Sequence, residues 1–218
     1  MKDWYDISVE TKTTTYKEIS QKIGLEANAV EKDWWVVQTL RVIFEMDCAN
    51  SLVFKGGTSL SKAWGLINRF SEDIDLALDR KYLGFGETIT VSQVRKLREA
   101  SYKYISTVFY PQLKEKFEQV GFKDVTIQLA ELKTKDQDPL IIEIYYPSFT
   151  ASSVYVQPKI LVEIGSRSLR EPFTQRAFCS LVGEHYKELF FADKNITIPT
   201  VNPERTFLEK IFLLHEEF

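Results

Sequence analysis

Apolar residues recur at spacings of three and four between residues 26 and 46, where Val30, Trp34, Val37, Leu40 and Phe44 share one helical face. This stretch predicts a long core helix, and it puts Trp34 and Trp35 in the core rather than on a ligand platform. A shorter helix is expected over residues 16–24, because Tyr16, Ile19 and Ile23 keep the same period and Gly24 supplies a stop. The polar tract 11–15 before it reads as a loop.

The pattern then shortens. Residues 51–54 form a brief apolar run and read as a buried strand, and residues 74–78 read as a second strand with Ile74, Leu76 and Leu78 on one face. A helix capped by Gly57 or Thr58 is expected over residues 58–66. Residues 91–120 look mostly helical, with an interruption near Pro111. Strand-like runs follow at residues 125–129, 140–146 and 159–164, and a further short one at 196–201. Pro203 opens a last helix that reaches residue 218 without a stop signal. Such an ending is expected of the front part of a longer product, or of a minimal version of the fold.

The elements divide into an N-terminal helical segment over residues 1–50 that packs on a core, the core itself over 51–202, and the start of a C-terminal helical region over 203–218. The interleaved helices and strands point to an α/β fold. The net charge of −3 excludes a protein whose whole surface grips nucleic acid, though Arg95-Lys96-x-Arg98 and the arginines 167, 170 and 176 leave local basic sites open. No apolar run approaches the ~18 residues of a membrane helix. The N-terminus has no apolar signal region. Cys48 and Cys179 match no metal-ligand spacing and are expected to be reduced and buried, which suits a cytoplasmic protein.

The chemistry concentrates in residues 55–75. Gly56 and Gly57 follow a strand and precede a helix, so the backbone can turn sharply and offer N–H groups to a phosphate. Thr58 and Ser59 add hydroxyls. Asp73 and Asp75 lie two apart on the next strand and so point to one face, about 6.5 Å apart by the strand rise. Two such carboxylates suit a hard, oxygen-liganded cation such as Mg²⁺, and beside a phosphate-binding turn they suit nucleotidyl transfer. A third carboxylate is expected to join them: Glu163 in the apolar run 160–164 is the first candidate and Glu143 its competitor. His185 and His215 belong to no triad or ligand pair and read as structural.

Three segments carry a family resemblance. Phe54-Lys55-Gly56-Gly57-Thr58-Ser59-Leu60 followed by Arg69-Phe70-Ser71-Glu72-Asp73-Ile74-Asp75-Leu76 resembles the nucleotidyltransferase AbiEii/AbiGii toxin family, within the DNA polymerase β-like nucleotidyltransferase superfamily. Residues 159–168, with their acidic residue and Gly-x-Arg, and residues 203–211, with the Glu209-Lys210 pair, resemble later blocks of the same family. Glu31-Lys32-Asp33-Trp34-Trp35 extends the likeness upstream.

The resemblance implies the α/β polymerase β-like fold, a mixed twisted sheet flanked by helices, and the transfer of a nucleoside monophosphate from an NTP, with Mg²⁺ or alternatively Mn²⁺. The implied acceptor is RNA such as the 3′ end of tRNA. The implied setting is the toxin of a type IV toxin–antitoxin or abortive phage-infection system, with a cognate antitoxin. It implies Asp73, Asp75 and Glu163 as catalytic and metal-holding groups, and Gly56, Gly57, Thr58 and Ser59 around the triphosphate. Lys210 either reaches a phosphate or is a surface lysine paired with an acid, and Arg69 and Arg167 either touch phosphates or brace the carboxylates. Lys55 and Lys62 read as peripheral. An inactive nucleotide-binding regulator and a metal-dependent nuclease stand as alternatives.

Overall fold

The computed structural model describes residues 2–67, 73–86, 88–131, 137–151, 156–167, 170 and 172–216. Among these, seven strands form one mixed sheet: β1 (Leu52–Lys55), β2 (Ile74–Leu78), β3 (Thr126–Leu129), β4 (Leu140–Tyr145), β5 (Lys159–Gly165), β6 (Phe173–Phe178) and β7 (Ile196–Val201). Their order across the sheet is β3-β4-β5-β2-β1-β7-β6. β1 runs antiparallel to β2 and parallel to β7, β2 runs parallel to β5, and the remaining neighbours are antiparallel.

Residue alternation splits the sheet into two unlike faces. Leu52, Phe54, Ile74, Leu76, Ile142, Val162 and Ile164 are buried in the main core. Helices α2 (Val9–Ile23) and α3 (Ala27–Ile43) contribute Tyr16, Ile19, Val30, Trp34, Trp35, Val37 and Leu40 to that core. The opposite face holds only a small cluster of Val53, Ala77 and Val201, with Phe173 against it. Polar residues at the ends of β1 and β2 therefore lie on the less covered side.

Most predicted elements form within a few residues of their expected bounds, and the departures have physical causes. The tract 11–15 is helical, not a loop, because α2 begins at Val9 after a short helix α1 (Lys2–Tyr5). Ser8 Oγ accepts from Thr11 N at 3.3 Å, Thr13 Oγ1 donates to Val9 O at 2.8 Å, and Lys12 and Thr15 are buried with Tyr16. Tertiary burial here outweighs the weak helix propensity of threonine. Strand β6 escaped sequence reading because it is an edge strand, paired with β7 alone and exposed at Thr174 and Gln175. Trp34 and Trp35 are core residues, 2% and 3% exposed and edge-to-face at 5.0 Å. Cys48 and Cys179 are buried free thiols.

The chain leaves β1 directly into a helical turn, α4 (Gly56–Thr58), which continues as a π-turn over Ser59–Ala63. The helix thus starts ahead of the expected residue 58, with Lys55 at its cap position and no side-chain cap, so neither Gly57 nor Thr58 caps it. The break expected near Pro111 is a π-turn (Ile105–Phe109) between α5 (Val91–Tyr104) and α6 (Tyr110–Val120), just ahead of a proline that has no N–H to give the helical ladder. A short helix α7 (Leu181–His185) precedes β7, and α8 (Pro203–Glu216) follows it. No helix among the described residues is long and apolar enough to cross a membrane.

Candidate active site

Strand register aligns the chemistry. Lys55 on β1 pairs with Asp75 on β2, and Asp75 pairs with Glu163 on β5, so the three stand side by side across adjacent strands. Neighbouring strands lie about 4.8 Å apart, which brings the two carboxyl groups and the ammonium within one electrostatic neighbourhood. Asp73 lies two residues before Asp75, just ahead of β2.

Gly56 closes the row from above. Its φ of +78° is the left-handed region that glycine enters freely. A Cβ at this position would lie 1.8 Å from Asp75 Oδ2 and 2.5 Å from Asp75 Cγ. The strand-to-helix turn is therefore packed directly onto the Asp75 carboxylate, and two separate signals in the sequence become one piece of structure.

The carboxylates feel one another. Burial, then the charges of Glu163 and Asp73, push Asp75 up to about 7, against the opposite pull of Lys55 and Lys210. Glu163 is also raised, first by burial and then by Asp73, with Lys55 opposing. Lys55 is thus central rather than peripheral. Its Nζ donates to Glu209 Oε2 on α8 at 3.2 Å, and Glu209 Oε1 also meets Arg205 Nε at 3.3 Å. The sequence had one usable signal for this lysine, its position next to Gly56. The strand pairing that sets it opposite Asp75 is a long-range property.

The other expected residues are placed as follows. Thr58 Oγ1 donates to the Asp73 carbonyl at 2.5 Å, and Ser59 Oγ donates to the Gly56 carbonyl at 2.8 Å. Both side chains are buried and their hydroxyls are committed to backbone oxygens, so a phosphate at this turn would meet backbone N–H groups instead. These bonds tie the Gly56-Gly57 turn to the strand that bears the aspartates. Lys210 is exposed on α8, and its charge reaches Asp75. Arg69 lies outside the described residues. Arg167 is exposed, and its charge acts on Asp138.

The competitor Glu143 belongs elsewhere. It accepts from Gln128 Nε2 at 2.9 Å, Tyr145 OH at 2.9 Å and Lys159 Nζ at 3.0 Å, and these bonds hold it below the usual glutamate range. Its strand partner is Leu161, whereas Glu163 pairs with Ile141. Lys62 is also not peripheral: it is paired with Asp33 at 2.9 Å and Glu184 at 3.6 Å, anchoring the turn after Gly56 to α3 and α7. Burial lowers its affinity for a proton, but the two carboxylates outweigh that and hold it charged.

The donor set around Asp75 consists of carboxylate oxygens, which suits a hard divalent cation. Among the described residues no three His, Cys, Asp or Glu side chains converge as a preformed metal cluster. Asp75 and Glu163 nevertheless stand in register, and Asp73 is near enough to raise both. Their chemistry and register fit a hard divalent cation.

Comparison with known proteins bears on the fold and the family. No curated protein matches the chain by sequence. Among solved structures, the nucleotidyltransferase toxin MenT4 from Mycobacterium tuberculosis is similar to it with a TM-score of 0.52 at 18% identity. The match covers 90% of this chain and 57% of MenT4, so the chain spans little more than half the length of that protein. At this identity the likeness concerns the fold, a mixed sheet flanked by helices. The family Nucleotidyl transferase AbiEii toxin, Type IV TA system, matches residues 40–217, which include the strands, the Gly56-Gly57 turn, all three carboxylates and α8. By that match over most of its length, the chain belongs to the AbiEii nucleotidyl transferase toxin family of type IV toxin–antitoxin systems.

Proposed function

We propose that the chain transfers a nucleoside monophosphate from an NTP to the 3′ hydroxyl of an RNA, with tRNA as the favoured acceptor, and acts as a cytoplasmic toxin held in check by a cognate antitoxin. The observation that carries this reading is the row Lys55–Asp75–Glu163, with Gly56 closed against the Asp75 carboxylate. A phosphate-binding turn and an acidic pair in contact serve triphosphate chemistry, whereas a nuclease needs no such turn.

The acceptor oxygen would attack the α-phosphorus, the bond from that phosphorus to the bridging oxygen of pyrophosphate would break, and the hydroxyl proton would pass to a carboxylate. Glu163, in register beside Asp75, is the carboxylate placed to take that proton. Backbone N–H groups of the Gly56-Gly57 turn and the Lys210 ammonium would hold the triphosphate. Asp73, Asp75 and Glu163 would hold Mg²⁺, which when bound neutralises the phosphates and stabilises the attacking and leaving oxygens.

The test is incubation of the protein with Mg²⁺, each labelled NTP and total cellular RNA, beside Asp73→Ala and Asp75→Ala. Label that enters RNA with wild type and is lost in both variants supports transfer. Shortened RNA without added NTP would make the chain a nuclease, and NTP binding without either product would make it a regulator.

A further inference from the structure

Helix α8 brings Lys210 toward the carboxylate row, yet it is lightly fastened. Among its described side chains, residues 203–212, Thr206 alone is buried, at 3% exposed. Phe207, Leu208, Ile211 and Phe212 are 64%, 47%, 44% and 64% exposed, so these four side chains add little apolar packing to the seat of the helix. At its base, Asn202 O accepts from Arg205 N at 3.1 Å and from Thr206 N at 3.3 Å. Further along, the pair between Lys55 Nζ and Glu209 Oε2 at 3.2 Å joins α8 to the sheet. Both side chains are about three-quarters shielded, and Arg205 holds Glu209 from the preceding turn of the helix.

The geometry points to Lys55–Glu209 as an electrostatic latch that sets the position of α8 over the active site, and through it the reach of Lys210 to the triphosphate. Lys55 and Glu209 are positioning residues in this scheme. Lys55 is well placed for it because its backbone precedes Gly56 and its strand partner is Asp75, so the latch and the acidic row share one fixed end. Glu209 precedes Lys210 in the chain, so a shift of one carries the other. A charge pair in this place gives a helix with little apolar attachment a defined seat, and its strength is that of a partly shielded pair rather than of a packed interface.

This inference rests on the nucleotidyltransferase reading for its effect on nucleotide, but not for its effect on the helix, so two readouts separate them. The first is hydrogen exchange of the protein alone. Glu209→Gln and Lys55→Met are expected to speed exchange of amides in residues 206–212 by about two- to fivefold, while Lys55→Arg, which keeps the pair, leaves them near wild type. Unchanged exchange in Glu209→Gln would overturn the latch.

The second readout is nucleotide transfer with Mg²⁺ and each NTP. Glu209→Gln is expected to raise KM for NTP by about five- to tenfold with a smaller change in kcat, and to add nothing to KM in a Lys210→Met background. Additive effects in that background would overturn the link to Lys210. A wild type that transfers no nucleotide would refute the proposed function while leaving the exchange result to decide the latch.

Discussion

Replacing Gly56 with alanine asks whether the contact between the turn and the aspartate is what makes the site. Two costs arise at this position. An alanine at φ +78° carries the left-handed penalty of about 1–2 kcal/mol. Its Cβ would also lie 1.8 Å from Asp75 Oδ2, far inside van der Waals contact, so Asp75 must rotate away from Glu163 or the turn must lift. Overpacking of this kind costs about 1–3 kcal/mol more. Gly24 supplies the control, since it has φ +74° and nothing within 4 Å of a built Cβ. Gly24→Ala should therefore lose only the backbone penalty, about 1–2 kcal/mol, and keep its transfer activity. Gly56→Ala should lose about 2–5 kcal/mol in urea denaturation and at least about a hundredfold in NMP transfer, because the displaced carboxylate no longer faces Glu163. Adding Asp75→Ala to Gly56→Ala removes two of the three closest contacts and should recover part of the stability but none of the activity. Equal stability and equal activity for Gly56→Ala and Gly24→Ala would refute the reasoning.

Further expectations follow from the same site. Asp75 titrates near 7 in the folded protein against 3.8 as its ordinary value, so without metal its contribution to stability is full below pH 4 and is lost as pH rises to 7. Asp75→Asn should flatten that decline, worth roughly 2–4 kcal/mol, and should be more stable than wild type at pH 8 in EDTA, as thermal unfolding across pH would show. Mg²⁺ should then raise the Tm of wild type and leave that of Asp75→Asn nearly unchanged. Glu163→Gln should abolish transfer, whereas Glu143→Gln, on its own cluster with Gln128, Tyr145 and Lys159, should keep it within about threefold; the reverse pattern in the RNA-labelling assay would make Glu143 the third carboxylate. Lys62→Met leaves Asp33 buried without its ammonium and should cost about 3–5 kcal/mol in urea denaturation.

Local chemistry was readable from the chain because it depends on near neighbours. Asp73 and Asp75 lie two apart at the start of a strand, Gly56 and Gly57 mark a turn by lacking Cβ atoms, and the spacing of Trp34, Val37 and Leu40 defines a buried helix face. Those signals, together with the family resemblance, sufficed for the α/β fold and most of its strands. They failed where tertiary packing overrides local preference, as in the threonine-rich start of α2, or where an edge strand such as β6 keeps little apolar pattern.

What the tertiary structure decided was pairing. Alternation could not choose between Glu163 and Glu143, since both sit in apolar strands; the register of β2 against β5 puts Glu163 beside Asp75 and leaves Glu143 with Gln128 and Lys159. Nor could a sequence show that Thr58 and Ser59 turn their hydroxyls inward, or that Lys55 and Lys62 are anchors. Each of these depends on which segments, far apart along the chain, come to lie a strand's width from one another. That arrangement is set by the burial of a whole core rather than by any short run of residues.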